Sequence, residues 1–140
     1  VQLLIGIINM YRLFISHSWA YSDAYDRLIE LLRAQNLNFC DHSVPKDDPI
    51  HTKGSDKELK EAIDAQIKGT SCVLILAGVY ASYSKWINIE IEIAKKYNKP
   101  IIAIEPWGAE RTSAIVKNNA IKIVKWQGKS IVNAIIEVVE

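Results

Sequence analysis

The segment Lys85-Trp-Ile-Asn-Ile-Glu-Ile-Glu-Ile-Ala-Lys-Lys-Tyr97 carries a carboxylate where an apolar residue is expected. At a helical step of about 100° per residue, Trp86, Ile87, Ile89, Ile91, Ile93, Ala94 and Tyr97 share one broad arc. Asn88, Glu92, Lys95 and Lys96 share the opposite one. Glu90 falls inside the apolar arc, roughly 40° round from Trp86. A carboxylate in that position must reach a crevice, find a partner or keep its proton, because burying it ionised is very costly. Misplaced carboxylates of this kind are candidates for a functional site.

A second cluster of reactive side chains is Ser16-His17-Ser18-Trp19. Serine beside histidine suggests a hydrolase triad. Adjacent residues at a strand end point apart, however, and the chain has no nucleophile elbow. A single carboxylate suffices for glycosidic cleavage when the leaving group needs no proton. Loss of nicotinamide from NAD fits, since the pyridinium departs as a neutral molecule through an oxocarbenium-like transition state. One glutamate can hold the ribose hydroxyls and stabilise the developing positive charge. Trp19, Tyr83 and Trp86 can stack on the flat base.

Five alternations of strand and helix must position these groups. The strands read as Tyr11–Ser16, Leu37–Asp41, Ser71–Leu76, Ile101–Ile104 and Ile121–Val124. The helices read as Ser22–Gln35, Ser55–Lys68, the Glu90 segment, Arg111–Asn118 and Ser130–Val139. Leu28, Ile29, Leu31 and Leu32 mark the inner side of the first helix. Ser55 and Glu58 form a capping box for the second. A polar loop from His42 to Ser55 is punctuated by Pro45, Pro49 and Gly54.

This alternation predicts an α/β fold of three layers, flavodoxin-like, with helices on both faces of a five-stranded parallel sheet of order 2-1-3-4-5. In that order the ligand crevice opens at the carboxyl ends of strands 1 and 3. The first of those ends leads into Ser16–Ala20, and the second delivers the helix carrying Glu90. Glu90 then lies about 7 Å below its helix start, facing the same crevice.

Composition removes several other classes. With 140 residues and 49% hydrophobic content, the chain suits one domain burying about two-thirds of its unfolded surface. Net charge is +1, from 17 basic and 16 acidic residues, which argues against nucleic acid or an anionic membrane as a major partner. Lysines in 95–99 and 117–129 read as solvated faces. Cys40 and Cys72 sit in strand-like runs outside any Cys-x-x-Cys pair, and read as buried thiols in a reducing cytoplasm. His17, His42 and His51 lack metal-site spacing, so no metal is expected.

Residues 1–9 are apolar, too short to span a membrane and without a charged leader region. They read as an N-terminal extension or a cloning remnant ahead of a domain over 10–140. No Gly-x-Gly-x-x-Gly follows a strand, and no Gly-x-x-x-x-Gly-Lys-Ser/Thr occurs. A two-component receiver needs an Asp at the end of strand 3 and an acidic pair after strand 1. This chain has Ala77-Gly78 and Ser16-His17 there.

Phe14-Ile-Ser-His-Ser-Trp19 resembles the first box of TIR domains. Ser84-x-Trp86-x-x-x-Glu90 resembles the Trp-to-Glu segment of NAD-consuming TIR domains, and Ser43-Val-Pro45 resembles their BB-loop region. The tail, Lys99-Pro-Ile-Ile-Ala-Ile-Glu-Pro-Trp-Gly108 with Val124-Lys-Trp126 and Ser130-Ile-Val-Asn-Ala-Ile135, is similar to the TIR-like branch of the ThsB family of bacterial Thoeris anti-phage defence. The likeness runs from about Tyr11 to Val139. Ile87-Asn-Ile89 and the residues before Met10 depart from the family pattern.

The resemblance implies an enzyme that phage infection switches on to cleave NAD, a substrate rather than a bound cofactor. Its product would be a cyclic ADP-ribose isomer that activates a sirtuin-like NADase or another effector. By position Glu90 would be the catalytic carboxylate. Ser16, His17, Trp19 and Trp86 would line the nucleotide pocket, with Pro45 on a loop that moves or meets a neighbouring subunit. Self-assembly would complete the site.

Plainer readings stand beside these. Glu90 can be a helix-start carboxylate favoured by the dipole, or one that snorkels to solvent. Ser16–Trp19 can be a capped turn with Trp19 in the core, Trp86 can be core packing, and the loop 43–54 can be a surface connection. The whole chain can then be a catalytically idle TIR-like interaction module, or more remotely a receiver-like regulator.

Overall fold

The computed structural model describes residues 9–16, 22–43, 56–76, 85–105 and 114–140. Among them are strands β1 (Tyr11–Ser16), β2 (Phe39–Asp41), β3 (Cys72–Leu76), β4 (Ile101–Glu105) and β5 (Lys122–Lys125). The helices are α1 (Ser22–Ala34), α2 (Asp56–Lys68), α3 (Lys85–Lys96), α4 (Ala114–Asn119) and α5 (Gly128–Val139). The sheet order is β2-β1-β3-β4-β5 and every pairing is parallel. The order read from the alternation of elements is the order found.

Strand periodicity divides the core in two. Tyr11, Leu13 and Ile15 of β1, with Leu74 of β3 and Ile102 and Ile104 of β4, pack against Leu28 and Leu32 of α1 and Ile131 and Ile135 of α5. Phe14, Val73, Ile75, Ile101 and Ala103 point the other way. They meet Leu59, Ile63 and Ile67 of α2, Ile87, Ile91 and Ala94 of α3, and Val116 of α4. The inner strands β3 and β4 are covered on both sides, which is why they read as unbroken apolar runs.

Several boundaries differ from the sequence reading. β2 begins at Phe39 rather than Leu37, because Leu37 completes the end of α1: Asn36 takes φ 59°, its N–H donates to Arg33 O, and the Leu37 N–H donates to Leu32 O. This is a Schellman closure with Asn in the place glycine usually takes. α3 ends identically, with Asn98 at φ 54° and Lys99 N–H donating to Ala94 O. α5 starts at Gly128, ahead of Ser130; α4 is described over Ala114–Asn119, and residues 111–113 lie outside the described residues. Cys72 is buried as expected, whereas Cys40 on the outer strand β2 is only half-buried. Most of the 1–9 segment lies outside the described residues; Asn9 donates from Nδ2 to Glu140 Oε1 at 2.8 Å.

One row of residues crosses the sheet near its carboxyl edge. Ser16 is in register with Ile75, Ile75 with Ala103, and Ala103 with Ile123. Ser16 shares the parity of Phe14, so it belongs to the face that α3 covers.

Candidate functional site

α3 is built by its apolar stripe. Ile87, Ile91, Ile93 and Ala94 are buried and Ile89 and Tyr97 partly so, while Asn88, Glu92, Lys95 and Lys96 are exposed. Glu90 is drawn inward with the stripe and is only 8% exposed. Its backbone is the sixth residue of a helix that starts at Lys85, placing it about 7.5 Å from the N-terminal end. That end follows the carboxyl end of β3, where a fold of this strand order opens its crevice.

Ser16, 2% exposed, reaches the same place from β1. Burial pushes the Glu90 carboxyl up to about 7 from an ordinary value of 4.5, and the Ser16 hydroxyl pulls it part of the way back. The hydroxyl therefore faces the carboxyl. Yet among the described residues neither Ser16 Oγ nor Glu90 Oε2 completes a hydrogen bond of normal geometry. Two buried polar atoms without partners, close together on facing elements, are uncommon in folded proteins. No described charge contributes to the Glu90 shift, so desolvation is its main origin. Near neutral pH such a carboxyl is divided between its acid and its base, the condition in which one group can take up or release a proton.

Of the other residues marked in the sequence, His17, Trp19 and Pro45 lie outside the described residues. Trp86 places its backbone on the first turn of α3, one turn before Glu90, and its side chain is likewise outside the description. The structure thus brings together Ser16 and Glu90. Among the described residues no group of three or more His, Cys, Asp or Glu side chains could hold a metal ion. None of the described helices is long and apolar enough to cross a membrane.

Two polar features escaped the sequence reading. Asp41, at the end of β2, accepts from the Tyr25 hydroxyl of α1, from the Ser43 hydroxyl and, at 2.8 Å, from the Ser43 N–H. The Asp-x-Ser spacing at the strand end was the available signal, since Asp commonly binds backbone two residues on. Glu105, two places beyond Ala103 and on its face of the sheet, accepts from Lys125 Nζ at 2.7 Å. It differs from Glu90 in having a cation beside it.

Comparison with known proteins places this geometry in a family. Residues 14–111 match the family described as "Thoeris protein ThsB, TIR-like domain". No curated protein matches the chain. Among solved structures, the CMP N-glycosidase BcmB of Clostridium botulinum superposes with a TM-score of 0.53 at 17% identity, over 88% of this chain and 96% of that one. A 3-dehydroquinate dehydratase-like protein from Bifidobacterium longum gives 0.50 at 10% identity, over 94% and 98%. Likeness at these identities establishes the shared fold. The matched segment runs from the end of β1 through α3 and β4, and so contains both Ser16 and Glu90. The chain belongs to the ThsB TIR-like domain family of Thoeris proteins.

Proposed function

We propose that this protein cleaves the N-glycosidic bond of NAD, with Glu90 as the catalytic carboxylate, and releases a cyclic ADP-ribose-type signal in anti-phage defence. The observation that carries this reading is the buried Glu90 carboxyl, which has no cation beside it and whose Oε2 lacks a hydrogen-bond partner among the described residues. A group so placed is destabilised when ionised, and positive charge developing beside it relieves that cost. The ribosyl oxocarbenium formed as nicotinamide departs supplies such a charge.

Nicotinamide leaves as a neutral ring and takes no proton, so a second carboxylic acid is unnecessary. The cation is then captured by a nucleophile within the same nucleotide, closing a ring, or by water. A site that excludes water favours ring closure. Ser16, His17, Trp19, Trp86 and Pro45 are assigned to the nucleotide pocket on the family likeness. The product would act on a downstream effector, and self-assembly would complete the pocket. The fold is also that of a protein named as a CMP N-glycosidase, so the scaffold accommodates cleavage of N-glycosidic bonds elsewhere.

An idle interaction module is the second reading, favoured by one observation. Ile115 of α4 and Ile121 and Ile123 at β5 are exposed large apolar residues beside an outer strand, a surface suited to a protein partner. Incubating the wild-type protein and Glu90→Gln with NAD, in infected cells or after assembly, separates the two. Wild type is expected to release nicotinamide and a cyclised product of distinct mass, and Glu90→Gln neither. If both proteins leave NAD intact while a partner still binds, the module reading replaces the enzyme reading.

A further inference from the structure

The family likeness places Ser16 in the nucleotide pocket. Its burial gives it a different neighbour. Because β1 alternates, Phe14 and Ser16 point to the face covered by α2 and α3, whereas Leu13 and Ile15 point to the opposite core. The Ser16 position is otherwise apolar in its row: Ile75 and Ala103 are fully buried beside it. A hydroxyl there is costly unless it meets a polar group. Glu90, descending from α3, is the polar group it faces.

Among the described residues, the other candidates for that role are engaged elsewhere. α2 presents Leu59, Ile63 and Ile67 to this core, and its Asp64 accepts from Lys96 and Tyr97 at the far end of α3. Val73 and Ile75 of β3 carry no ionisable group. From α4, Val116 reaches the core, and Asn119 accepts from Lys95. On β4, Glu105 holds Lys125, and on β1, Arg12 lies exposed at the opposite end of the strand from Ser16.

We propose that Ser16 is a positioning residue for Glu90: its hydroxyl donates to the carboxylate when that group ionises, fixing its orientation and favouring the charged form that the reaction uses. This rests on the reading of Glu90 as the catalytic group. It gives the Ser16 hydroxyl the carboxylate as its partner, within the pocket to which the family likeness assigns Ser16. Among the described residues Ser16 Oγ and Glu90 Oε2 both stand without a completed bond, so the contact is available to form when the proton leaves. A hydrogen bond to a charged acceptor is stronger than one to a neutral acid, so the pair responds to the charge state itself.

Two measurements on the full chain test this: the carboxyl titration of Glu90 followed by carbon NMR, and the pH profile of nicotinamide release. Ser16→Ala is expected to move the Glu90 midpoint upward by about one unit. The acidic limb of kcat/KM should move with it, so the ratio of rates at pH 6 and pH 9 falls about tenfold relative to wild type. Ser16→Thr keeps the hydroxyl and should restore both. Ser16→Cys, a weak donor, should shift in the same direction as alanine, and it serves where alanine does not fold.

An unmoved midpoint in Ser16→Ala or Ser16→Cys overturns the proposal. So does a rate lowered equally at all pH values, which is the mark of a merely structural residue. The NMR midpoint is read without turnover. A protein that shows the shift but leaves NAD intact therefore refutes the catalytic reading while retaining the pairing.

Discussion

At the carboxyl end of α3 a carboxylate is fully engaged, and midway along the helix a carboxyl has one oxygen without a completed bond among the described residues. Asp64 of α2 accepts from Lys96 Nζ at 3.0 Å and from the Tyr97 hydroxyl at 2.5 Å, and these donors hold it below the ordinary carboxylate range. Glu90, about 9 Å further up the same helix layer, has desolvation acting on it and one serine hydroxyl opposing that effect. Asp64 ties α2 to α3 and its ionisation supports the fold. Glu90 forms no ion pair among the described residues, and its ionisation works against the fold. A residue whose charged form costs stability is better explained by what it does to a ligand than by packing.

The largest expected effect separates the two sites by turnover. Glu90→Gln should lower nicotinamide release on the order of 100- to 1,000-fold, as loss of one charge-stabilising group commonly does. Asp64→Asn should leave kcat within about twofold, since its contacts lie at the carboxyl end of α3, away from the crevice. Comparable losses in both variants would erase the distinction.

Stability against pH gives the next contrast, with opposite signs. The Glu90 value is raised in the folded state, so its cost is absent below about 4.5, grows as pH rises, and is complete above about 7. Glu90→Gln should therefore gain stability at pH 8, by up to about 3 kcal/mol, and little at pH 4.5. Urea unfolding at the two pH values measures this. An equal effect at both would mean that Glu90 is not desolvated.

Asp64 behaves in the reverse sense and more weakly. Its folded value lies below 3.8, so its contribution is present above that value and disappears as pH falls through the folded one. Lys96 is solvent-exposed and Asp64 half-buried, with side chains 59% and 26% accessible, so screening keeps the effect small. Asp64→Asn should lower the melting temperature slightly at pH 7 and at low salt, with the difference fading in 1 M salt. A drop that persists in salt would make the Asp64 end part of the core rather than a surface clasp.

Much of this arrangement is legible in the chain. The inward position of Glu90 follows from a 3.6-residue period, and the sheet order follows from five alternations of strand and helix. The orientation of Ser16 was also available, because Phe14 and Ser16 share a face at period two. That reading requires knowing which core each face of β1 serves, which depends on pairing with β3. The ends of α1 and α3 were harder. Asn36 and Asn98 adopt the left-handed turn that glycine advertises, and asparagine occurs too widely to mark it. Asp41 is hard to read from sequence because its partner Tyr25 lies 16 residues away and meets it only once α1 packs on the sheet.

Nicotinamide release followed across pH 5 to 9, in wild type and Glu90→Gln under activating conditions, tests the assignment of Glu90 most directly. The wild-type kcat/KM is expected to rise about tenfold per unit below a midpoint near 7 and to level off above it. The Glu90→Gln protein should show neither the rate nor the midpoint. The same profile in both proteins would contradict the assignment of Glu90 as the reacting carboxylate.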